Sequence, residues 1–154
     1  MSTVGVVPGI LRLAEESLPV NLAVSLHTAN NSLRDSLIPI NHRYPVDELL
    51  AACRTYTDRT RRRLSFEVTL IDGLTDAESE AHRVADALQG MLCHVNLILF
   101  NPVAGCRWKP SPSRRILAYQ SVLTSKHIPA SVRHRRGDDI QAGCGQLRGQ
   151  PPSA

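Results

Sequence analysis

Alternating strand-type and helix-type segments constrain the fold of this chain more than any other feature of its sequence. Apolar and polar residues alternate from Leu64 to Ile71, the period of a β-strand, and the turn signal Asp72-Gly73 ends the run. Val95 to Phe100 is almost continuously apolar, which predicts a strand buried on both faces of a parallel sheet. Asn21 to Ser25 predicts a short strand, and Ala130 to His134 a shorter strand at an edge.

Four helices are predicted around these strands, because apolar residues recur there with the spacing of one helix face. The four stripes are Leu11, Ala14 and Leu18; Leu49, Cys53 and Tyr56; Ala81, Val84 and Leu88; and Ile116, Tyr119 and Leu123. Asp76 and Ser111-Pro112 are start signals for the last two helices, and Gly90 is a stop signal. The sequence therefore predicts an α/β fold with three parallel core strands, flanking helices and a short C-terminal strand.

The composition is that of one ordinary globular domain. The chain has 154 residues, of which 42% are hydrophobic and 21% charged. It contains neither a secretory signal nor an apolar run that could span a bilayer, so we expect a cytoplasmic protein with no membrane partner. The four cysteines are widely scattered, without metal-ligand spacing, and we expect neither disulfides nor a metal site.

Two local clusters of arginine account for the basic character of the chain. Arg61, Arg62 and Arg63 form the first, and Arg133, Arg135 and Arg136 the second. Guanidinium groups pair with phosphate oxygens and release counterions, so these clusters are candidates for a phosphate-binding surface. Solvated charge at the ends of structural elements is an equally good interpretation.

Ligands of α/β proteins bind at the carboxyl ends of parallel strands, and polar residues follow three of the predicted strands. Ser25-Leu26-His27 ends the first, Asn101-Pro102 ends the third, and Gly137 to Ile140 follows the last. Serine, asparagine and histidine can donate and accept hydrogen bonds. A single strand-end histidine is more often structural, so His27 is open to both interpretations.

Cys144 is a candidate nucleophile, since it lies between Gly143 and Gly145, shortly after a basic run that could stabilise a thiolate. Cys53 and Cys93 fall on apolar segments and are predicted to be core residues. No role is assigned to Cys106.

Several ordered strings resemble one family, the radical-SAM adenine-C2 RNA methyltransferases of the RlmN/Cfr type. In chain order they are Ser2 to Pro8, Leu22 to His27, Asn31 to Asp35, Pro39 to Asn41, Val95 to Ile98 with Asn101-Pro102, and Arg136 to Ile140 before Cys144 to Leu147. The resemblance runs from about residue 2 to residue 149. It identifies 1–149 as the C-terminal part of the methyltransferase core, and we expect 150–154 to be a disordered tail.

The resemblance implies a fold and a set of site residues. The fold is a radical-SAM (β/α)6 partial barrel, of which this chain would supply the end of strand three and strands four to six. Five residues match family positions that contact S-adenosylmethionine: Ser2, Ser25, Leu26, His27 and Asn101. Cys144 matches the cysteine that carries a methyl group as S-methylcysteine. The implied substrates are adenines of 23S rRNA and of tRNA.

The chemistry that the resemblance implies explains the need for a thiol. Adenine C2 is an unactivated carbon and a poor nucleophile, so a methyl group is first placed on cysteine. A radical made from a second S-adenosylmethionine at a [4Fe-4S] cluster then activates that methyl group for addition to C2. The base must be unstacked to be reached.

The sequence departs from the family in one major respect and several minor ones. The C-x-x-x-C-x-x-C motif that ligates the cluster is absent, so this chain is not expected to hold it. The Gly-Glu motif for the cofactor's amino group is absent too. Leu99 and Ala104 stand where the family has prolines, and Gln141 and Gly143 depart from the approach to Cys144; glycine admits more backbone conformations there.

Three hypotheses follow. The chain contributes to a methyltransferase whose cluster half comes from a separate chain or from upstream sequence; or it is a non-catalytic remnant that binds RNA or S-adenosylmethionine weakly; or it is a generic α/β binding module. The ordered motifs disfavour the third.

Overall fold

The structure, a computed structural model, describes residues 1–102 and 105–133. Cys144, the tail 150–154, Arg135, Arg136 and the segment Gly137 to Ile140 lie outside the described residues. Within them the order is β1 (Ser2–Thr3), α1 (Val7–Leu13), β2 (Ala23–Ser25), α2 (Asn31–Leu37), a 3₁₀ turn (Pro39–His42), α3 (Val46–Thr60), β3 (Leu64–Leu70), α4 (Glu78–Leu88), β4 (Cys93–Leu99), α5 (Ser113–Ser125) and β5 (Ala130–Arg133).

The described strands form one five-stranded sheet in the order β1-β2-β3-β4-β5, and every neighbouring pair is parallel. The expected α/β fold is confirmed. The periodicity predicted four of these strands and missed β1, which has only two residues. The family resemblance accounts for β1, since it expected the end of a further strand before Asn21.

One face of the sheet packs against the helices. Leu64, Phe66, Val68 and Leu70 of β3 are all 0% exposed, and they belong to a single hydrophobic cluster with the buried faces of α1, α3, α4 and α5. The residues between them, Ser65, Glu67 and Thr69, are only partly buried. The helices therefore cover one side of the sheet.

The burial of β4 differs from the prediction. Its apolar run predicted burial on both faces, but only Cys93, Val95 and Leu97 are buried, whereas His94, Asn96 and Ile98 between them are partly exposed. Strand residues point alternately to opposite faces, so β4 has one packed face and one more open face that carries polar side chains.

The helix stripes are confirmed for α3, α4 and α5, whereas of the stripe predicted for α1 only Ala14 is buried. Leu11 is 39% exposed and Leu18 63% exposed, and α1 instead packs through Val7 and Ile10. Asp76 does not cap α4, whose N-cap is Ala77; α4 ends at Leu88, two residues before Gly90. Neither α2 nor the 3₁₀ turn was predicted from the sequence.

No helix in the described ranges is long and apolar enough to cross a membrane.

Candidate functional site

The carboxyl ends of β1 and β2 enclose an open groove. Its lining is Ser2, Thr3 and Val4 of the first strand and its continuation, Val6 before α1, and Ser25 at the end of β2, around a volume of about 360 Å³. Two of the predicted cofactor contacts, Ser2 and Ser25, therefore meet in one concavity. The hydroxyl groups are accompanied by exposed apolar surface, since Val4 is 47% and Val6 41% exposed.

His27 stands just beyond β2 and fixes its own orientation by bonding to β3. The last paired residue of β2 is Ser25, and two residues later the His27 Nδ1 accepts a hydrogen bond of 3.1 Å from the Thr69 N–H. Burial, reinforced by the charge of Arg34, lowers the pKa of His27 from 6.5 to about 4. The ring is therefore neutral at pH 7 with its proton on Nε2, a donor that no residue in the described ranges accepts from.

Leu26 occupies a different position from its neighbours. It is 0% exposed, its N–H donates to Glu67 O at 3.0 Å, and its carbonyl accepts from Arg34 Nε at 3.1 Å. Its contact with a cofactor stays a prediction, and the described arrangement gives it a supporting position behind Ser25 and His27.

Asn101 lies on the same edge of the sheet but farther along it. It is exposed and follows β4, which is two strands from β2, so about 10 Å of sheet separates the two strands. The Phe100 ring beside it meets Trp108 edge to face at a centroid distance of 6.0 Å. A ligand that touched both Ser25 and Asn101 would have to be extended.

Arg34 of α2 shapes this edge, and its role was not predicted from the sequence. It is 0% exposed, and its guanidinium donates to Val4 O at 2.8 Å, Ser25 O at 2.9 Å, Leu26 O at 3.1 Å and Asn41 Oδ1 at 2.9 Å. Burial lowers its pKa, while Cys53 and Asp35 oppose that change. One side chain thus ties together the carboxyl ends of β1 and β2.

Asn41 and its neighbours complete this support. The Asn41 Nδ2 donates to Asp35 Oδ1 at 2.7 Å and to Asn31 Oδ1 at 3.2 Å, and the latter oxygen also accepts from the Val46 N–H at 2.8 Å. The strings around Arg34 and Asn41 carried the resemblance but no assigned role. A long-range polar network of this kind gives no local periodicity by which it could have been found.

The loops after β2 and β3 are also bonded to helices. Thr28 Oγ1 donates to Glu80 Oε2 of α4 at 2.6 Å, and the fully buried carboxylate of Asp76 accepts from the Gly73 N–H and from Arg115 of α5. Hydrogen bonds to α4 and α5 therefore hold the loops at these strand ends in place.

Cys53 and Cys93 are buried and do not suit a reactive role. Burial raises the pKa of Cys53 to about 12 and that of Cys93 to about 11, so both thiols stay protonated at neutral pH. No group of three or more His, Cys, Asp or Glu residues that could hold a metal ion occurs in residues 1–102 and 105–133. These residues do not fit an iron–sulfur cluster.

The first basic cluster lies away from the site. Arg61, in the left-handed conformation, is the C-cap that follows α3, and Arg63 directly precedes β3, so the cluster is at the amino edge of the sheet. Of the second cluster, Arg133 ends β5 and is exposed.

Solved structures give the class of the protein. A radical SAM methyltransferase from Sphaerobacter thermophilus matches with a TM-score of 0.92 and 51% identity, over 96% of this chain and 43% of that one. A domain of pyruvate-formate lyase-activating enzyme from Bacteroides vulgatus ATCC 8482 matches with a TM-score of 0.67 at 13% identity, which concerns the fold alone. The chain thus resembles, in fold and in sequence, part of this radical SAM methyltransferase.

Curated relatives narrow the class. The chain is 47% identical over 96% of its length to the probable dual-specificity RNA methyltransferase RlmN of Caldanaerobacter subterraneus subsp. tengcongensis, and 50% identical over 96% to RlmN 1 of Myxococcus xanthus. It is 49% identical over 99% to RlmN of Parafrankia sp.. Over nearly its whole length the chain is therefore homologous to RlmN, as the resemblance predicted. It spans about two fifths of the length of these relatives, 43%, 41% and 40%. No family model matches.

Proposed function

We propose that this chain supplies the S-adenosylmethionine-binding edge and the methyl-carrying cysteine of a radical-SAM adenine-C2 RNA methyltransferase. The observation that carries the proposal is the groove in which Ser2 and Ser25 meet. Two residues after Ser25, His27 has an Nε2–H donor that no residue in the described ranges accepts from. Hydroxyl groups and a neutral imidazole suit the polar atoms of S-adenosylmethionine, and Val4 and Val6 suit its apolar parts. Asn101, on the same edge, would reach a distant part of this extended molecule.

The division of work within the site follows from the geometry. Arg34 and Thr69 hold the strand end and the His27 ring in place, so that binding requires little rearrangement. Cys144 is proposed to accept a methyl group by attack of its thiolate on the sulfonium methyl, which forms an S–CH3 bond and releases S-adenosylhomocysteine. The [4Fe-4S] cluster would supply the radical chemistry, and another polypeptide segment would ligate it.

The proposed substrates are adenines of 23S rRNA and tRNA, and the proposed setting is the cytoplasm. The second proposed partner is the segment that carries the cluster.

Cofactor binding is tested by titrating the purified chain with S-adenosylhomocysteine in a calorimeter. Replacing Ser25 with Ala removes one hydroxyl contact and is expected to weaken binding about three- to tenfold. The matched control is Ser79→Ala, on the exposed surface of α4. Equal affinities of the two variants would contradict a contact at Ser25.

The methyl-carrier role is tested by co-expressing the chain with the part of the Sphaerobacter protein that it does not match. Mass spectrometry is expected to find one added methyl group on the peptide that contains Cys144, and 2-methyladenosine in the RNA. Cys144→Ala should abolish both signals, whereas Cys106→Ala should retain them. Methylation that persists in Cys144→Ala would refute the role; a chain that binds ligand but never forms 2-methyladenosine would favour the non-catalytic remnant.

A further inference from the structure

The more open face of the sheet carries a row of polar side chains in exact cross-strand register. Ser25 of β2 is paired with Glu67 of β3, Glu67 with Asn96 of β4, and Asn96 with Ser131 of β5. Neighbouring strands are about 4.8 Å apart, so successive members of this polar row are side by side. Ser25 is also part of the groove lining, so the polar row continues the groove across the sheet.

Hydrogen bonds within the polar row determine which groups remain available. His94 Nε2 and Ser131 Oγ are 2.8 Å apart, and Ser131 Oγ donates to Asn96 Oδ1 at 3.1 Å. Because Asn96 Oδ1 is an acceptor here, its Nδ2 is directed elsewhere as a donor. The Glu67 carboxylate has neither a hydrogen bond nor an ion pair with any residue in the described ranges, although Glu67 is partly buried. A carboxylate acceptor and an amide donor thus stand side by side.

We infer that Glu67 and Asn96 bind the ribose diol of S-adenosylmethionine, an inference that rests on the proposed function. A carboxylate accepts hydrogen bonds from vicinal hydroxyls, as acidic residues do in nucleotide sites. The Asn96 amide donates to a ribose oxygen, and Ser25 is next to Glu67 on the other side. Parallel sheets usually have both faces covered, and a polar row on a face that no described helix covers suits a polar ligand.

The test compares two variants and two ligands. Glu67→Gln keeps the size of the side chain and removes its charge, and Glu78→Gln is the control, since Glu78 is exposed on α4. Affinity for S-adenosylhomocysteine and for its 2′-deoxy analogue is measured by calorimetry on the full chain, and circular dichroism verifies folding. We expect Glu67→Gln to weaken binding of S-adenosylhomocysteine about tenfold or more, because the hydrogen bond is to a charged group. Binding of the 2′-deoxy analogue should change much less.

The outcomes separate this inference from the proposed function. If the unmodified chain and Glu67→Gln bind S-adenosylhomocysteine equally, or if Glu67→Gln weakens both ligands by the same factor, the ribose assignment is wrong and cofactor binding stands. If the unmodified chain binds neither ligand, both proposals fail. A loss confined to the ligand with the complete diol supports the assignment.

Discussion

The His27 side chain accepts a backbone hydrogen bond that a neighbouring strand would otherwise accept. β2 ends at Ser25 while β3 continues to Leu70, so the Thr69 N–H has no partner on β2, and the His27 ring accepts its hydrogen bond. The residue has a φ of 60°, in the left-handed region that few residues other than glycine adopt. A neutral ring is required, since protonation of Nδ1 would break this bond.

The stability of the chain should therefore depend on pH through His27. Its pKa is about 4 in the folded chain against 6.5 ordinarily, so the unfolded state binds the proton more readily. The free energy of unfolding should have its full value above about pH 6.5, and it should fall by about 2–3 kcal/mol as the pH drops toward 4. The variant His27→Asn, in which asparagine tolerates the positive φ, should lose most of this pH dependence. Urea unfolding at several pH values measures it. The exposed control His82→Asn should keep it; an unchanged profile in His27→Asn would refute the assignment.

Gly5 and Gly9 form a matched pair for testing the tight approach at the end of β1. Gly5 has a φ of 114°, and a Cβ there would be 3.2 Å from both Arg34 Nη2 and Leu49 Cδ2. Gly5→Ala should destabilise the chain by about 1–3 kcal/mol. In helix α1, a Cβ on Gly9 meets nothing closer than 3.8 Å, so Gly9→Ala should stabilise it by about 0.5–1 kcal/mol. Denaturant midpoints measure the change in stability of both variants. Equal midpoint shifts in the two variants would contradict the proposed crowding at Gly5.

At the scale of elements, α2 acts as a clamp on two strands. Three of the four acceptors of Arg34 are backbone carbonyls, and two of these strand-end residues, Val4 and Ser25, belong to different βα units. A planar guanidinium can donate in several directions at once, which an ammonium group cannot do at the same positions. This explains an arginine in the interior of a helix of only seven residues.

Arg34→Lys should therefore be costly despite keeping the charge. It leaves two or three buried acceptors without donors, which is expected to lower the free energy of unfolding by about 2–4 kcal/mol. It should also weaken S-adenosylhomocysteine binding, because Ser25 loses its support. Arg12→Lys, on the exposed surface of α1, is the control and should change neither quantity. Chemical denaturation measures the free energy of unfolding, and calorimetry on the same preparations measures the affinity for S-adenosylhomocysteine. If both were unchanged in Arg34→Lys, the clamp would be disproved.

The elements also show what could be predicted from sequence and what could not. The packed faces of α3 to α5 and β3 were predictable, because burial on one face leaves a periodic signal. The second face of β4 was misjudged: Ile98, Leu99 and Phe100 extend its apolar run, while His94 and Asn96 were the overlooked polar signal. Ser25 and His27 were predicted because strand ends are where ligands bind. Arg34 was not, since its bonds reach residues up to 30 positions away.

The whole molecule has a helix-covered face and a face with polar side chains, and this asymmetry bears on how it would join a partner. β1 pairs with β2 on one side only among the described strands, so its other side is a free sheet edge. A parallel sheet is most stable when both faces are covered and its edges are paired. The segment that would bring the cluster is thus proposed to extend the sheet at β1 and to close over the polar row.

This arrangement predicts that the two parts stabilise one another. The part of the Sphaerobacter protein that this chain does not match, added to the purified chain, should raise its melting temperature in a concentration-dependent manner, because a ligand that binds only the folded state stabilises it. Ser2→Pro removes the backbone donor of β1 that points away from β2 and should weaken the effect; the exposed site Ser17→Pro is the control. Folding of Ser2→Pro is verified first by circular dichroism. If a folded Ser2→Pro were stabilised as strongly as the unmodified chain, the partner would have to join elsewhere than at β1. If the melting temperature never rose, the two parts would not associate, and the proposal of a split methyltransferase would fail.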